Sequence, residues 1–467
     1  MTLATVVGAG PVGSLLSVFL ARRRFDVELY ERRQDMREDS ISAGRSINLA
    51  VSTRGISALR EAGLADQVLE QAIPMRGRMM HAVDGTLTFQ QYGRDDSECI
   101  YSISRSGLNK MLLDAAEKAG VKIHFGMRAL SYDAEAAQIF FESEKGGERE
   151  AVDAQLVFGT DGSSSAVREV VMSQTDAKIT EETLNYGYKE LSIPAVRGSF
   201  DKRFVMDPNA LHIWPRGAFM LIALPNFDGS FTCTLFLPFE GPVSFASLQT
   251  PERVQAFFEE TFPDAARLVE NLTGSFFENP TGHMVTVKCK PWNFGGRALL
   301  LGDAAHAIVP FFGQGMNCGF EDLSILMRML DRELKSQKTG AAGRLFNDFS
   351  AQRKPDADSI ADLAVENFVE MRDRVADPRF LLEKKLEAVL QKEFPEEYLS
   401  RYSMVSFSRI PYRWAVRAGQ VHAKILGELG KNAETAEQID ISAARNLINR
   451  DLTPIMRQAK EEMKKWT

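Results

Sequence analysis

Hydrophobic and polar positions change rhythm several times along the 467 residues. Residues 1–75 open with an apolar strand around Val6-Val7, then a helix, a second strand at Val27-Glu28-Leu29-Tyr30-Glu31, and a helix that Gly63 stops. From 76 to 92 short strands flank Asp84-Gly85, a hairpin signal. Residues 107–119 are helical, and 121–172 return to strands. Between about 183 and 290 the alternation lengthens, as in Leu211-His212-Ile213-Trp214 and Phe231-Thr232-Cys233-Thr234-Leu235-Phe236, with one helix from Arg253 to Phe262. After Phe346 the period is helical. Ile360, Leu363, Ala364, Phe368 and Met371 form one apolar stripe, with Asn367 on it and Glu370 at its border. A polar residue on a buried stripe needs a partner, and Asn367 fits a satisfied core amide or a group facing a ligand equally well.

This rhythm predicts an α/β chain in several parts. A Rossmann-type domain is assembled from 1–75, 93–182 and 291–345. A sheet domain from 76–92 and 183–290 is inserted into it, and a helical region covers 346–467. The length itself exceeds one hydrophobic core. A net charge of −7 argues against a nucleic-acid footprint, and the four scattered cysteines contain no C-x-x-C pair. Six histidines lack metal spacing, so no metal is expected. The scattered cysteines suit a reducing cytoplasm, and no stretch approaches 18 uninterrupted apolar residues, so a soluble protein without a membrane anchor is expected.

The chemistry begins at Gly8-Ala9-Gly10-Pro11-Val12-Gly13, directly after the first strand. A glycine turn entering a helix offers backbone amides to a pyrophosphate. Gly10 removes the side chain that would hold the phosphates off, and Gly13 lets helix and strand pack closely. Glu31, about 20 residues on, ends the second strand where a carboxylate takes ribose hydroxyls. Two further apolar strands end in Leu156-Val157-Phe158-Gly159-Thr160-Asp161-Gly162 and in Ala298-Leu299-Leu300-Leu301-Gly302-Asp303-Ala304-Ala305-His306. Alone, each is an ordinary turn. In this order the three segments point to bound FAD. Pro310-Phe311-Phe312-Gly313-Gln314-Gly315-Met316-Asn317 follows, a glycine loop opening a helix that would favour the negative charge of reduced flavin.

Together these segments resemble the class A flavoprotein aromatic hydroxylases, which have the para-hydroxybenzoate hydroxylase fold. Pro11 stands where that family often has leucine, and it suits a first helical turn. The resemblance implies FAD contacts at Gly8, Gly10, Gly13, Glu31, Arg33, Ala50, Arg105, Asp161, Asp303, Gly315, Met316 and Asn317. Asp161 is assigned there also to an incoming nicotinamide cofactor, and the lack of a second dinucleotide fingerprint suits an NADPH that docks transiently.

Longer blocks are similar to the family members that hydroxylate L-kynurenine: Gly44 to Ala50, Pro74 to Met79, Leu211 to Pro215, Ile222 to Asn226, Pro310 to Asn317, Asn367 to Met371 and Tyr402 to Arg409. That likeness implies Arg78 and Tyr92 as a substrate-carboxylate clamp, with Arg76 as the nearby alternative. It puts Asn367, Glu370, Met371 and Tyr402 near the amino-acid end. An apolar wall of Leu211, Ile222, Leu224, Phe236, Pro310 and Phe311, with Gln314, would surround the ring. It further implies that NADPH reduces FAD, that dioxygen forms a flavin C4a-hydroperoxide, and that 3-hydroxykynurenine is the product. No residue is singled out as a general base. A hydroxylase of another aromatic acid and a non-catalytic flavin-fold binding protein are the competing readings. The family's eukaryotic forms end in a membrane-anchoring helix and this chain resembles the bacterial ones. A homodimer is left open.

Overall fold

The computed structural model describes residues 2–38, 48–133, 135–144, 146–198, 202–336, 340–370, 378–431, 433 and 435–465. Gly44 to Ile47 and Met371, singled out in the sequence, lie outside the described residues. The chain divides into two compact units. The first comprises Met1–Ala72, Ile103–Leu184 and Met284–Ala361, and the second Ile73–Ser102, Asn185–His283 and Asp362–Thr467. The residues after Phe346, read from sequence as one helical region, are thus shared between the units at Ala361.

The first unit is built on a six-stranded sheet. Its order is Asn293–Phe294, Ala298–Leu300, Val157–Gly159, Leu3–Val7, Asp26–Glu31 and Lys122–Phe125, parallel apart from the first strand. Val6, Val157, Leu29, Leu299 and Leu300 are almost fully buried, as strands covered on both faces require. The register aligns Val7 with Gly159 and Tyr30, and Gly159 with Leu300. Gly8, Thr160 and Leu301 therefore leave adjacent strands at one edge. In open α/β sheets that carboxyl edge is where ligands bind.

The second unit contains most of a seven-stranded sheet. Its order is Gly282–Lys290, Lys178–Ile193, Phe231–Pro238, Met220–Pro225, Ala210–Pro215, Gly77–His81 and Leu87–Gln91. Strict alternation sorts its side chains. Leu191, Ile193, Trp214, Leu221, Ala223, Phe231, Cys233, Leu235 and Leu237 face a core closed by Val254, Phe258, Phe262 and Phe276 from the short helices that follow. Leu211, Ile222, Leu224, Phe236 and Arg78 take the opposite parity and line the other face. Arg78 sits directly across from Leu211, and Ile222 across from Ile213. Helices between Pro378 and Met463 complete this unit, and among the described residues no helix is long and apolar enough to cross a membrane.

Candidate active site

Gly8 turns the chain out of its strand with φ +101°, a conformation open to glycine. Its amide donates to Tyr30 O at 2.7 Å, and a Cβ there would lie 2.5 Å from Thr160 O. Gly13 is tighter still. A Cβ would come within 2.0 Å of Gly8 O and 2.5 Å of Thr160 Oγ1. Thr160, from the second segment, donates that hydroxyl to Val7 O and Gly8 O at 2.8 Å, so two motif segments lock onto each other. Gly10 differs, since a Cβ there meets nothing within 4 Å. It opens onto space at the N-terminus of the Pro11–Arg22 helix, whose first turn carries no side-chain cap and no acid. Those uncapped amides and that open Cα suit a pyrophosphate.

Glu31 accepts from Ala9 N at 2.9 Å and from Arg33 N at 3.0 Å, so its carboxylate is oriented beside the turn with lone pairs to spare for a ribose. Arg33 and Arg105 are exposed. Asn109, which the sequence did not single out, donates to Ala9 O at 2.9 Å and completes the turn.

The third segment joins the other two. Gly302 adopts φ +58° and ψ −142°, and a Cβ would sit 3.1 Å from Val12 of the first helix. Asp303 follows with an exposed side chain, and its Oδ1 lies 4.0 Å from where a Gly315 Cβ would be. Asn317 is fully buried and ties three segments through its amide. Ser52 N donates to its Oδ1 at 2.9 Å, while its Nδ2 donates to Ala50 O at 2.8 Å and Gly313 O at 2.7 Å. Its side chain therefore holds the glycine loop, and Ala50 contributes through its carbonyl. Gly315 and Met316 stay partly open.

Asp161 is positioned differently from its neighbours. Its carboxylate accepts from Ser165 Oγ at 2.5 Å and Ala166 N at 2.8 Å, which fixes the start of the Ala166–Ser173 helix. Burial raises its pKa, and the bond from Ser165 only partly offsets that. From the same helix Arg168 reaches Ala304 O at 3.1 Å, linking the second segment to the third. These residues fit a flavin dinucleotide: a clash-limited turn, an oriented acid, an exposed aspartate and an uncapped helix end. Pro310, Phe311 and Gln314 belong to this unit, with Phe311 and Gln314 buried and Pro310 exposed.

The second unit holds the other candidate residues. Arg78 lies beneath two phenols, its guanidinium carbon 5.6 Å from the Tyr92 ring centre and 5.3 Å from that of Tyr402. The two rings stack at 5.0 Å with planes 12° apart. Arg78 Nε is buried without a hydrogen-bond partner, and among the described residues no carboxylate pairs with this cation. Burial works against its charge, yet Tyr92, Tyr402 and Glu370 outweigh that and hold its pKa above the ordinary value. Burial also raises Tyr92, partly offset by Arg78, and lifts Tyr402 well above a normal phenol. Both therefore remain hydroxyl donors across ordinary pH. Asn367 is buried, and Glu370 sits between Lys384 Nζ at 3.4 Å and Arg401 Nη2 at 3.5 Å. Arg76, the alternative clamp, lies 3.8 Å from the exposed Asp96. The arrangement is a buried cation with one unbonded nitrogen beside two phenols, on the sheet face that carries Leu211, Ile222, Leu224 and Phe236.

A family model described as an FAD binding domain matches residues 1–364. A kynurenine 3-monooxygenase of Myxococcus xanthus is 54% identical over 456 residues, covering 97% of this chain and 96% of its own. The chain belongs to the kynurenine 3-monooxygenase family. The Dictyostelium discoideum kynurenine 3-monooxygenase is 43% identical, with 96% of this chain and 98% of the relative covered. As members of this family are FAD-dependent monooxygenases, the chain is one too. Two solved structures share the fold at low identity. They are 2-methyl-3-hydroxypyridine-5-carboxylic acid oxygenase (TM-score 0.63, 19% identical, 82% of this chain and 95% of that one) and p-nitrophenol 4-monooxygenase of Pseudomonas putida (0.64, 18%, 81% and 92%). The class A hydroxylase architecture read from the sequence is thus the observed one.

Proposed function

We propose that this protein hydroxylates L-kynurenine to 3-hydroxykynurenine, consuming NADPH and dioxygen, as a soluble cytoplasmic enzyme. The observation that carries the substrate assignment is Arg78. It is a desolvated guanidinium with an unpaired Nε and no carboxylate of its own. Its neighbours support the charge, but its buried Nε still lacks a hydrogen-bond acceptor, and a ligand anion would supply one.

The α-carboxylate of an amino acid meets that need through charge-assisted hydrogen bonds from Arg78, with Tyr92 and Tyr402 adding neutral O–H donors. Asn367 and Glu370 suit the adjacent ammonium, one as an amide acceptor and the other as a carboxylate. The aryl ring then lies along Leu211, Ile222, Leu224 and Phe236, which exclude water and present no competing donor. Gripping the tail fixes the ring by orientation rather than by contact with the reacting carbon. Gly8, Gly10, Gly13, Glu31, Asp303, Gly315 and Met316 would hold FAD, with Asn317 fixing the loop. When bound, FAD supplies electron transfer from NADPH and the activation of dioxygen, while the protein provides position and dryness. The ring is activated by its own ortho amine, so the scheme assigns no protein base.

The test measures NADPH consumption with and without L-kynurenine while quantifying 3-hydroxykynurenine and hydrogen peroxide. Stimulated consumption matched by hydroxylated product supports the reading. Stimulation that yields peroxide alone makes kynurenine an effector and refutes it as substrate, and so does no stimulation.

A further inference from the structure

Asp303, the exposed acid of the third segment, stands on a helix of one turn, Asp303–His306. A single turn carries too few internal bonds to hold itself. His306 N and Ala305 N both return to Gly302 O at 2.9 Å, and little else is internal. External groups secure it instead. Arg168 donates to Ala304 O at 3.1 Å, Cys289 Sγ donates to Ala305 O at 3.2 Å, and Val287 N donates to Ala307 O at 2.8 Å. All three act on backbone carbonyls.

The fourth anchor is the side chain of His306. It is 2% exposed, and its Nε2 lies 2.6 Å from Asp322 Oδ2. Burial alone would raise the Asp322 carboxyl, but Arg353 and then His306 outweigh it and keep it below the ordinary value. An ionised carboxylate only accepts, so His306 Nε2 carries the proton and donates. Asp322 belongs to the Gly315–Ser336 helix, whose first turn bears Gly315, Met316 and Asn317.

That helix is itself held rigidly. Arg353 Nε donates to Asp322 Oδ1 at 2.6 Å, and its Nη2 donates to Glu321 at 3.2 Å. Glu321 also receives Arg54 Nη1 at 2.6 and 2.7 Å, from the Thr53–Glu61 helix. Every member of this cluster is at most 3% exposed. Cys318 also lies close to His306 and Asp322, and together they offer ligand atoms within 4.8 Å of one another. The Arg353 guanidinium already occupies Asp322, however, and sits 4.0 Å from the Cys318 sulfur, so the cluster is charge-compensated without a metal.

We propose that His306 is a positioning residue for FAD, and that its bond to Asp322 sets the Asp303 turn in register with the Gly315–Asn317 loop. Arg353 and Arg54 hold the Asp322 end fixed, so the bond transmits that rigidity to the turn. His306 does not touch the flavin in this scheme, and its effect passes through Asp303.

The test compares two amides. In glutamine the amide nitrogen falls near the position of imidazole Nε2, and in asparagine near that of Nδ1. His306→Gln can still donate to Asp322, whereas His306→Asn cannot reach it. Each apoprotein is titrated with FAD by flavin fluorescence, and its melting temperature is measured without FAD. The expected result is an FAD dissociation constant within about threefold of the parent for His306→Gln. For His306→Asn it rises at least about tenfold, the scale of losing a hydrogen bond to a charged group. Equal weakening in both variants, or no weakening in either, overturns the proposal, whatever the melting temperatures. Should the asparagine variant not fold, FAD affinity of His306→Gln decides alone, since weakening beyond about tenfold there also overturns it. A parent apoprotein that takes up no FAD would fault the flavin reading itself, not the link.

Discussion

Replacing Arg78 by methionine keeps most of the side chain's length and removes its charge. In the substrate-free protein that charge is desolvated, has no carboxylate partner among the described residues, and leaves Nε unbonded. Tyr92, Tyr402 and Glu370 support that charge against desolvation, and replacing buried charge by an apolar side chain of similar volume is commonly neutral or stabilising, so the melting temperature should hold or rise. Binding should suffer instead. Truncating one partner of a buried charge pair costs about 2–5 kcal/mol, or about 30-fold to several thousand-fold in affinity at about 1.4 kcal/mol per decade. Because Nε is already stripped of water, a carboxylate gains that bond without a fresh desolvation penalty. The expected loss is therefore at least about 100-fold. Calorimetric titration with L-kynurenine measures it, alongside the amine analogue that lacks the carboxylate. The parent should prefer L-kynurenine strongly, and Arg78→Met should bind the two alike. Affinity for L-kynurenine within about threefold of the parent, or an undiminished preference over the analogue, would refute the assignment. So would a large fall in melting temperature, which would mean that Arg78 is a structural cation.

Four other substitutions probe separate links. Gly13→Ala forces a Cβ to 2.0 Å from Gly8 O, so it should lower the apoprotein melting temperature and abolish flavin absorbance. Gly10→Ala meets no protein atom within 4 Å, so the apoprotein should melt as the parent does while FAD affinity falls, measured by the same two assays. His422 is 3% exposed with both ring nitrogens unbonded, and burial, then Arg401 and Lys384, push its pKa down to about 3. It stays neutral when folded but takes up a proton when unfolded below about pH 6.5. The parent therefore loses stability as pH falls from about 6.5 towards 3, and His422→Leu should not lose that share. The variant's advantage in denaturant unfolding should grow by about 2 kcal/mol between pH 8 and pH 5, and a constant difference would contradict it. Asn317→Leu, which deletes three bonds to Ser52, Ala50 and Gly313, should weaken FAD uptake and make the Gly313 loop more susceptible to proteolysis.

The flavin turn was legible in the sequence because each of its requirements leaves a residue behind. The positive φ at Gly8 and the close approach at Gly13 demand glycine, a ligand at the open Gly10 would do so as well, and spacing alone marks Glu31. Strand alternation was equally legible in Leu211 to Trp214 and Phe231 to Phe236, whereas the apolar wall was implied only by the family resemblance. What was missed depends on partners far away in the chain. Thr160 and Asn109 close the Gly8 turn, yet neither type is diagnostic at its position. Arg54, Glu321 and Arg353 carry no local mark of their burial against one another. The stacking of Tyr92 on Tyr402 has no local signature at all. Asp161 shows the converse difficulty: a motif position can be legible while its carboxylate serves to start a helix.

The order of strands in the flavin sheet also governs when a cradle can exist during synthesis. The strand that carries Gly8 is made first, but its neighbour Val157–Gly159 emerges much later, and Ala298–Leu300 later still. The Gly8 turn lacks Thr160 until residues near 160 leave the ribosome, and it lacks Asp303 until residues near 306 do. Closing such long loops is slow and brings its reward only at the end. FAD therefore meets an almost complete first unit, and acts as a late ligand that traps the finished sheet rather than a template for building it. Cellular flavin supply should consequently govern how long the folded enzyme survives more than how readily it first folds.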